Sequence, residues 1–379
     1  MYSSRVAALR RVVRAACLSL LTLARNMSLC GGSNSGVTHF STTSSHQPSP
    51  TSARLLRLPS VPGSKPLATN ELLLLLPLPS PGLNRRHCPP RPSGHLPQHH
   101  VVYFPGDVQN YRNIMACHPE NFRWERWSLE NTAAVLARHF PNSHIWVIKS
   151  SRMHLHKFSC YDNFVASNMF GAPEHSTNFG AFKHLHALLV NAFTLAQNSV
   201  SQKSMYGVED TEVPSSTLVP TCTRNGCPID NAEYSQPLPI SLGSPSDKDS
   251  LFTLIGFSKG CVVLNQLLYE LNEAKADKDT NSFITNIKAM YWLDGGHSGG
   301  SNTWVTCPRI LKEFAQTGIT VHTHVTPYQV QDSMRSWIGK EHKKFVQLLT
   351  EYGVEINNQL HFTDEAPTLD NHFRVHDVF

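Results

Sequence analysis

From about residue 98 onward, apolar residues arrive in two alternating forms, short continuous runs and stripes at helical spacing. Residues 100–104 (HVVYF), 144–148 (HIWVI), 251–255, 287–293, 319–325 and 354–362 are runs rich in β-branched and aromatic side chains, and they read as strands. Between them, Leu129, Ala133, Leu136, Ala137 and Phe140 recur at three and four residues, so 129–140 reads as a helix with Ser128 as its N-cap. Similar stripes predict helices over 179–197, 261–273, 308–317, 333–352 and 372–379, two of them followed by Gly318 and Gly353. This alternation predicts an α/β fold, a mostly parallel sheet with helices on both faces. Such sheets carry their sites at the C-terminal ends of the strands.

Two stretches break the rhythm. Residues 199–249 are rich in Ser, Pro, Asn and Asp, show almost no periodicity, and read as a disordered insertion. Residues 79–100 are rich in Pro, Arg and His and read as a linker. Upstream, 53–59 and 71–76 read as two short strands. The chain thus divides into a leader at 1–53, short strands and a Pro-rich linker at 54–97, and a domain at 98–379.

Composition and charge narrow this further. The 379 residues are 40% hydrophobic and 16% charged, which excludes disorder of the whole chain. The formal charge of +5 is unevenly spread. Residues 1–100 hold eleven Lys/Arg and a single acid, Glu71, while the rest carries 22 basic and 27 acidic residues. A basic end on a mildly acidic domain argues against a nucleic-acid-binding surface. The first fifty residues lack Asp and Glu and place Arg5, Arg10, Arg11, Arg14 and Arg25 among Val, Ala, Leu and Ser. That is the composition of a mitochondrial presequence. A secretory signal over 15–24 (AACLSLLTLA) competes, but Arg25 follows it directly. No stretch offers the roughly 20 apolar residues of a transmembrane segment. Nine scattered cysteines suit a reduced compartment better than a disulfide framework.

The chemistry concentrates after the run 251–255, which leads into Gly256-Phe257-Ser258-Lys259-Gly260 and then a helix. This is G-x-S-x-G in the strand–turn–helix setting of a nucleophile elbow. Ser258 is the candidate nucleophile, and the backbone N–H of Lys259 a candidate oxyanion donor. In hydrolases of this type the chain order is Ser, acid, His. His372 is the favoured base, with His376 one turn further on, and His361 reads as a strand residue. Asp294 and Asp332 each follow a strand, and the residue pattern does not separate them as the acid. Asp332 also fits the N-cap of the helix starting at Ser333. The second oxyanion donor falls to Gly106 or Asp107, after the run 100–104; the His-Gly common at that turn is absent. The His322-x-His324 pair shares a strand face, but no third ligand is marked, so no metal and no cofactor are expected.

The runs VVYFPGDVQNY (101–111), SRMHLHKFSCYDNFV (151–165), FTLIGFSKGCVVLNQLL (252–268), MYWLDGGHSGGSNTWVT (290–306), HVTPYQVQDSMRSWIGKEHKKF (324–345) and NHFRVHDVF (371–379) closely resemble one family. It is the metazoan mitochondrial family named chromosome 2 open reading frame 69. The resemblance implies an α/β-hydrolase-like fold, a mitochondrial location, with the matrix expected, and a link to respiratory-chain function. It names no substrate. The expected function is a serine hydrolase, an esterase, lipase or thioesterase acting on a small-molecule or acyl substrate. The alternative is an inactive hydrolase-fold scaffold with a protein partner.

Overall fold

In the computed structural model, which describes residues 54–77, 97–205, 242 and 244–379, eight strands form one sheet. They are β1 (Leu55–Pro62), β2 (Thr69–Leu75), β3 (Gln98–Phe104), β4 (His144–Ile148), β5 (Ser250–Phe257), β6 (Ile287–Leu293), β7 (Thr320–Val325) and β8 (Ile356–Leu360). Their spatial order is β1-β2-β4-β3-β5-β6-β7-β8. The β2 strand runs antiparallel to β1 and β4. Every other neighbouring pair is parallel.

The central strands are buried on both faces, so their sequences are continuously apolar rather than alternating. Side chains still part with a period of two. Val102 and Phe104, Trp146 and Ile148, Leu254, Met290 and Trp292 enter one core; Val101 and Tyr103, Ile145 and Val147, Ile255 and Phe257 enter the other. The first core lies under α2 (Ala181–Met205), α3 (Cys261–Ala274), α5 (Pro308–Ala315) and α6 (Trp337–Glu351). The second lies under α1 (Leu129–His139) and α7 (Leu369–Val378). A further helix, α4 (Lys278–Thr285), is capped by Asp277 and was not foreseen from the pattern. Glu270 on α3 ties two helices together, accepting the N–H groups of Gly180, Ala181 and Phe182 at the start of α2. Burial raises its pKa, although these donors oppose the shift.

Several expected boundaries move. The sheet takes in β1 and β2, so a domain starting at residue 98 begins too late. Leu72 and Leu74 fill one core and Leu73 and Leu75 the other, which is why the leucine run is a sheet strand. The helix expected over 333–352 is divided into a 3-10 turn, Ser333–Arg335, and α6. The expected insertion is narrower than 199–249, because α2 continues to Met205 and Ser244–Asp247 is a hydrogen-bonded turn. Its remainder, the leader and most of the Pro-rich linker lie outside the described residues. Among the described residues no helix is long and apolar enough to cross a membrane.

Candidate active site

At the C-terminal end of β5 the chain turns sharply into α3 through one 3-10 turn, Ser258–Gly260. Ser258 sits at the apex with φ +50°. That left-handed conformation costs a non-glycine residue about 1–2 kcal/mol and persists only where packing enforces it. The enforcing contacts are close backbone approaches. A Cβ on Gly260 would lie 1.9 Å from the Phe104 carbonyl oxygen, and one on Gly106 would lie 2.9 Å from Ser258 Cβ. The glycines therefore let β3, its following turn and the serine turn pack against one another. The Lys259 side chain is fully buried and its Nζ donates to the Phe170 carbonyl at 2.8 Å.

The two candidate acids part company. Asp294 follows β6 and is fully buried. Its Oδ1 accepts the Thr326 N–H at 2.7 Å, and its Oδ2 accepts the Thr326 hydroxyl at 2.6 Å. The same Oδ2 lies 2.6 Å from His372 Nδ1. Among the described residues Asp332 makes no hydrogen bond to His372. It caps the 3-10 turn by accepting the Met334 N–H at 2.8 Å and pairs with Arg335 at 2.7 Å. Its capping role explains it, and its place as an acid beside His372 is corrected.

His372 lies in the first turn of α7, which starts three residues earlier than expected and is capped by Thr368. Its ring packs between Phe257 and Tyr328, at centroid distances of 4.6 and 5.0 Å. His376 is buried deeper, held by the Tyr103 hydroxyl at 2.9 Å and the Phe373 carbonyl at 2.7 Å, and so fills a core position. His361 bonds His324 at 3.0 Å. Among the described residues no three His, Cys, Asp or Glu gather as metal ligands.

Ser258 and His372 line one cavity of about 70 Å³, with Asp107, Phe158, Gly296, Ser298, Tyr328, Gln329 and Arg335 among its walls. Among the described residues His372 bonds Asp294 and not Ser258. Apo hydrogen bonds of this kind are often long and tighten only with substrate. The turn after β3 also needs a correction. The Gly106 N–H is engaged by Gln109 Oε1 at 2.9 Å and does not face the cavity as a donor. Gln109 is held there by Tyr103, Trp127 and Thr132. The Asp107 N–H makes no hydrogen bond among the described residues. Burial raises the pKa of the Asp107 carboxyl, opposed by the Lys259 charge and the Ser159 N–H.

Sequence reasoning missed Thr326, which fixes Asp294, and Gln109, which closes Gly106. Both act through contacts that the local pattern does not mark. The assembled groups are those of acyl transfer, a hydroxyl, an imidazole and a buried carboxylate in the chain order Ser, Asp, His. Together with the strand order and the strained serine turn, they define an α/β-hydrolase-fold protein. The C2orf69 family model matches residues 57–355, and the chain belongs to that family. It is 63% identical over 332 residues to "Mitochondrial protein C2orf69" of Homo sapiens, covering 86% of each chain. To the homolog in Danio rerio it is 43% identical over 361 residues, covering 95% of this chain and 93% of that one. Among solved structures it is similar to a bacterial brefeldin A esterase at 9% identity and TM-score 0.34, covering 89% of this chain and 75% of that one. That likeness is too weak to add to the strand order.

Proposed function

We propose that this protein is a mitochondrial serine hydrolase, acting in the matrix on a short carboxylic ester or thioester. The observation that carries this reading is the buried Asp294–His372 pair, 2.6 Å apart, opening onto the same cavity as a serine held at φ +50°. Asp294 fixes the imidazole tautomer by accepting from Nδ1–H, which leaves Nε2 as the base. His372 takes the Ser258 proton as Oγ attacks the carbonyl. The Lys259 and Asp107 N–H groups stabilise the oxyanion. His372 then hands the proton to the leaving oxygen or sulfur. Water repeats the sequence on the acyl-enzyme and frees the acid. A cavity of about 70 Å³ favours a compact acyl group.

The mitochondrial part of this reading is supported by the named relatives and the Arg-rich, acid-free first fifty residues, and the matrix is part of the proposal. A supporting role in respiratory-chain function is part of the same proposal. Turnover of short-chain nitrophenyl esters and N-acetylcysteamine thioesters tests the chemistry. Wild type should exceed Ser258→Ala and His372→Ala by about 10³-fold or more, and equal rates in all three would remove the enzyme reading.

A second reading is an inactive scaffold on the same fold. The Gly106 N–H held by Gln109 favours it, since one oxyanion donor is closed. Complementation of deficient cells separates the two: a scaffold keeps its rescue activity in Ser258→Ala, and a hydrolase loses it.

A further inference from the structure

The cavity over Ser258 holds more polar groups than acyl transfer uses. Ser298 is 7% exposed and Gln329 3%, and both line it. Among the described residues neither Ser298 Oγ nor Gln329 Oε1 has a hydrogen-bond partner. A buried polar atom left unpaired costs about 1–3 kcal/mol, so two in one cavity point to a ligand that satisfies them. Arg335 lines the same cavity. Its Nε donates to Asp332 at 2.7 Å and its Nη2 to the Tyr328 carbonyl at 3.4 Å, while Nη1 has no partner among the described residues. Asp332 thus anchors the guanidinium by its inner nitrogen and leaves Nη1, with the second hydrogen of Nη2, for the cavity.

Building on the hydrolase reading, we propose that Arg335, Ser298 and Gln329 recognise a carboxylate, so that the substrate is a short ester or thioester whose acyl part ends in a carboxylate. A guanidinium fork matches a carboxylate in two parallel hydrogen bonds. The Ser298 hydroxyl adds a donor, and the Gln329 amide presents its N–H groups after a flip that exchanges O and N. Asp107 on the cavity wall decides between anions. Arg335 already pairs with Asp332, so the cavity holds no surplus positive charge for a doubly charged phosphate beside Asp107, whereas a carboxylate needs only the guanidinium's remaining hydrogen bonds.

The test uses full-length Ser258→Ala, which does not consume the ligand, and compares monomethyl glutarate with methyl pentanoate by ligand-detected NMR titration. The two esters differ in a carboxylate against a methyl group at the far end. The acid should bind about tenfold or more tightly. Arg335→Gln should weaken it by about 10–100-fold, Arg335→Lys should restore part of the loss, and Ser298→Ala, which leaves the Asp332–Arg335 pair intact, should weaken it severalfold. Equal affinity for the two esters, no binding of either, or a preference that survives both Arg335→Gln and Ser298→Ala would overturn the proposal. A reactive Ser258 with no such preference would leave the hydrolase reading standing alone. A preference in a protein whose Ser258 never reacts would leave an anion pocket and remove the hydrolase.

Discussion

Asp294→Asn keeps the size of the side chain and removes the charge facing His372. In the native site Oδ2 accepts from both the Thr326 hydroxyl and His372 Nδ1, at 2.6 Å each. The asparagine can keep Oδ1 on the Thr326 N–H, but its N–H₂ then faces His372 where an acceptor stood. The imidazole answers by moving its proton to Nε2, and the nitrogen meant to deprotonate Ser258 becomes a donor. Loss of the orienting carboxylate of a Ser–His–Asp triad costs about 10⁴ in rate. At 1.36 kcal/mol per decade this is about 5 kcal/mol of transition-state stabilisation. Folding should suffer less, by about 1.5–3 kcal/mol for a hydrogen bond to a charged group. The assay is the second-order rate of fluorophosphonate labelling, with thermal melting on the same samples. The same exchange at Asp332, which serves a turn and Arg335, should cost far less. Labelling of Asp294→Asn at the wild-type rate in a folded protein would refute this reasoning.

Further outcomes follow from the same contacts. Ser258→Gly removes a left-handed strain of about 1–2 kcal/mol at the price of a freer unfolded chain, so its urea midpoint should match or exceed wild type while labelling vanishes; a clear loss of stability would contradict the strained turn. Gly260→Ala sets a Cβ against the Phe104 carbonyl and should cost about 1–3 kcal/mol or more; an unchanged melt would contradict that packing. Burial holds eight histidines neutral: His100 is depressed to about 2, His297, His324 and His376 to about 3, and His144, His175, His184 and His342 to about 4. Their folded pKa values lie below the unfolded value of about 6.5, so protons bind the unfolded chain first and stability falls as pH drops from about 6.5 toward 4. At pH 5.5 each costs about 1.4 kcal/mol and the eight on the order of 10 kcal/mol, so urea titrations should show a steep loss between pH 7 and 5.5, and a flat profile would refute their burial.

The parts legible in the sequence are those where local pattern and long-range structure coincide. The central strands were readable because burial on both faces forces continuous apolar runs, and the serine turn because its glycines are demanded by close backbone packing. The leucine run at 72–75 was harder, since a short apolar segment beside prolines carries no sign of its partner strand. The choice between Asp294 and Asp332 could not be read at all. Both follow strands, and what separates them is Thr326 and His372, which meet Asp294 only in the folded sheet. The choice between Gly106 and Asp107 at the oxyanion turn was hidden for a related reason. Gly106 has the right residue type and place, yet Gln109, three residues on, takes its N–H. Arg335 gave no signal, because its meaning lies in the cavity it shares with Ser298.

The central claim is that Ser258 is a reactive nucleophile served by His372. Peptide mapping by mass spectrometry after fluorophosphonate treatment of the full-length protein tests it most directly. The account predicts an adduct on Ser258 that is absent from Ser258→Ala and strongly reduced in His372→Ala. No adduct on folded wild type, or one that forms equally well without His372, would contradict it.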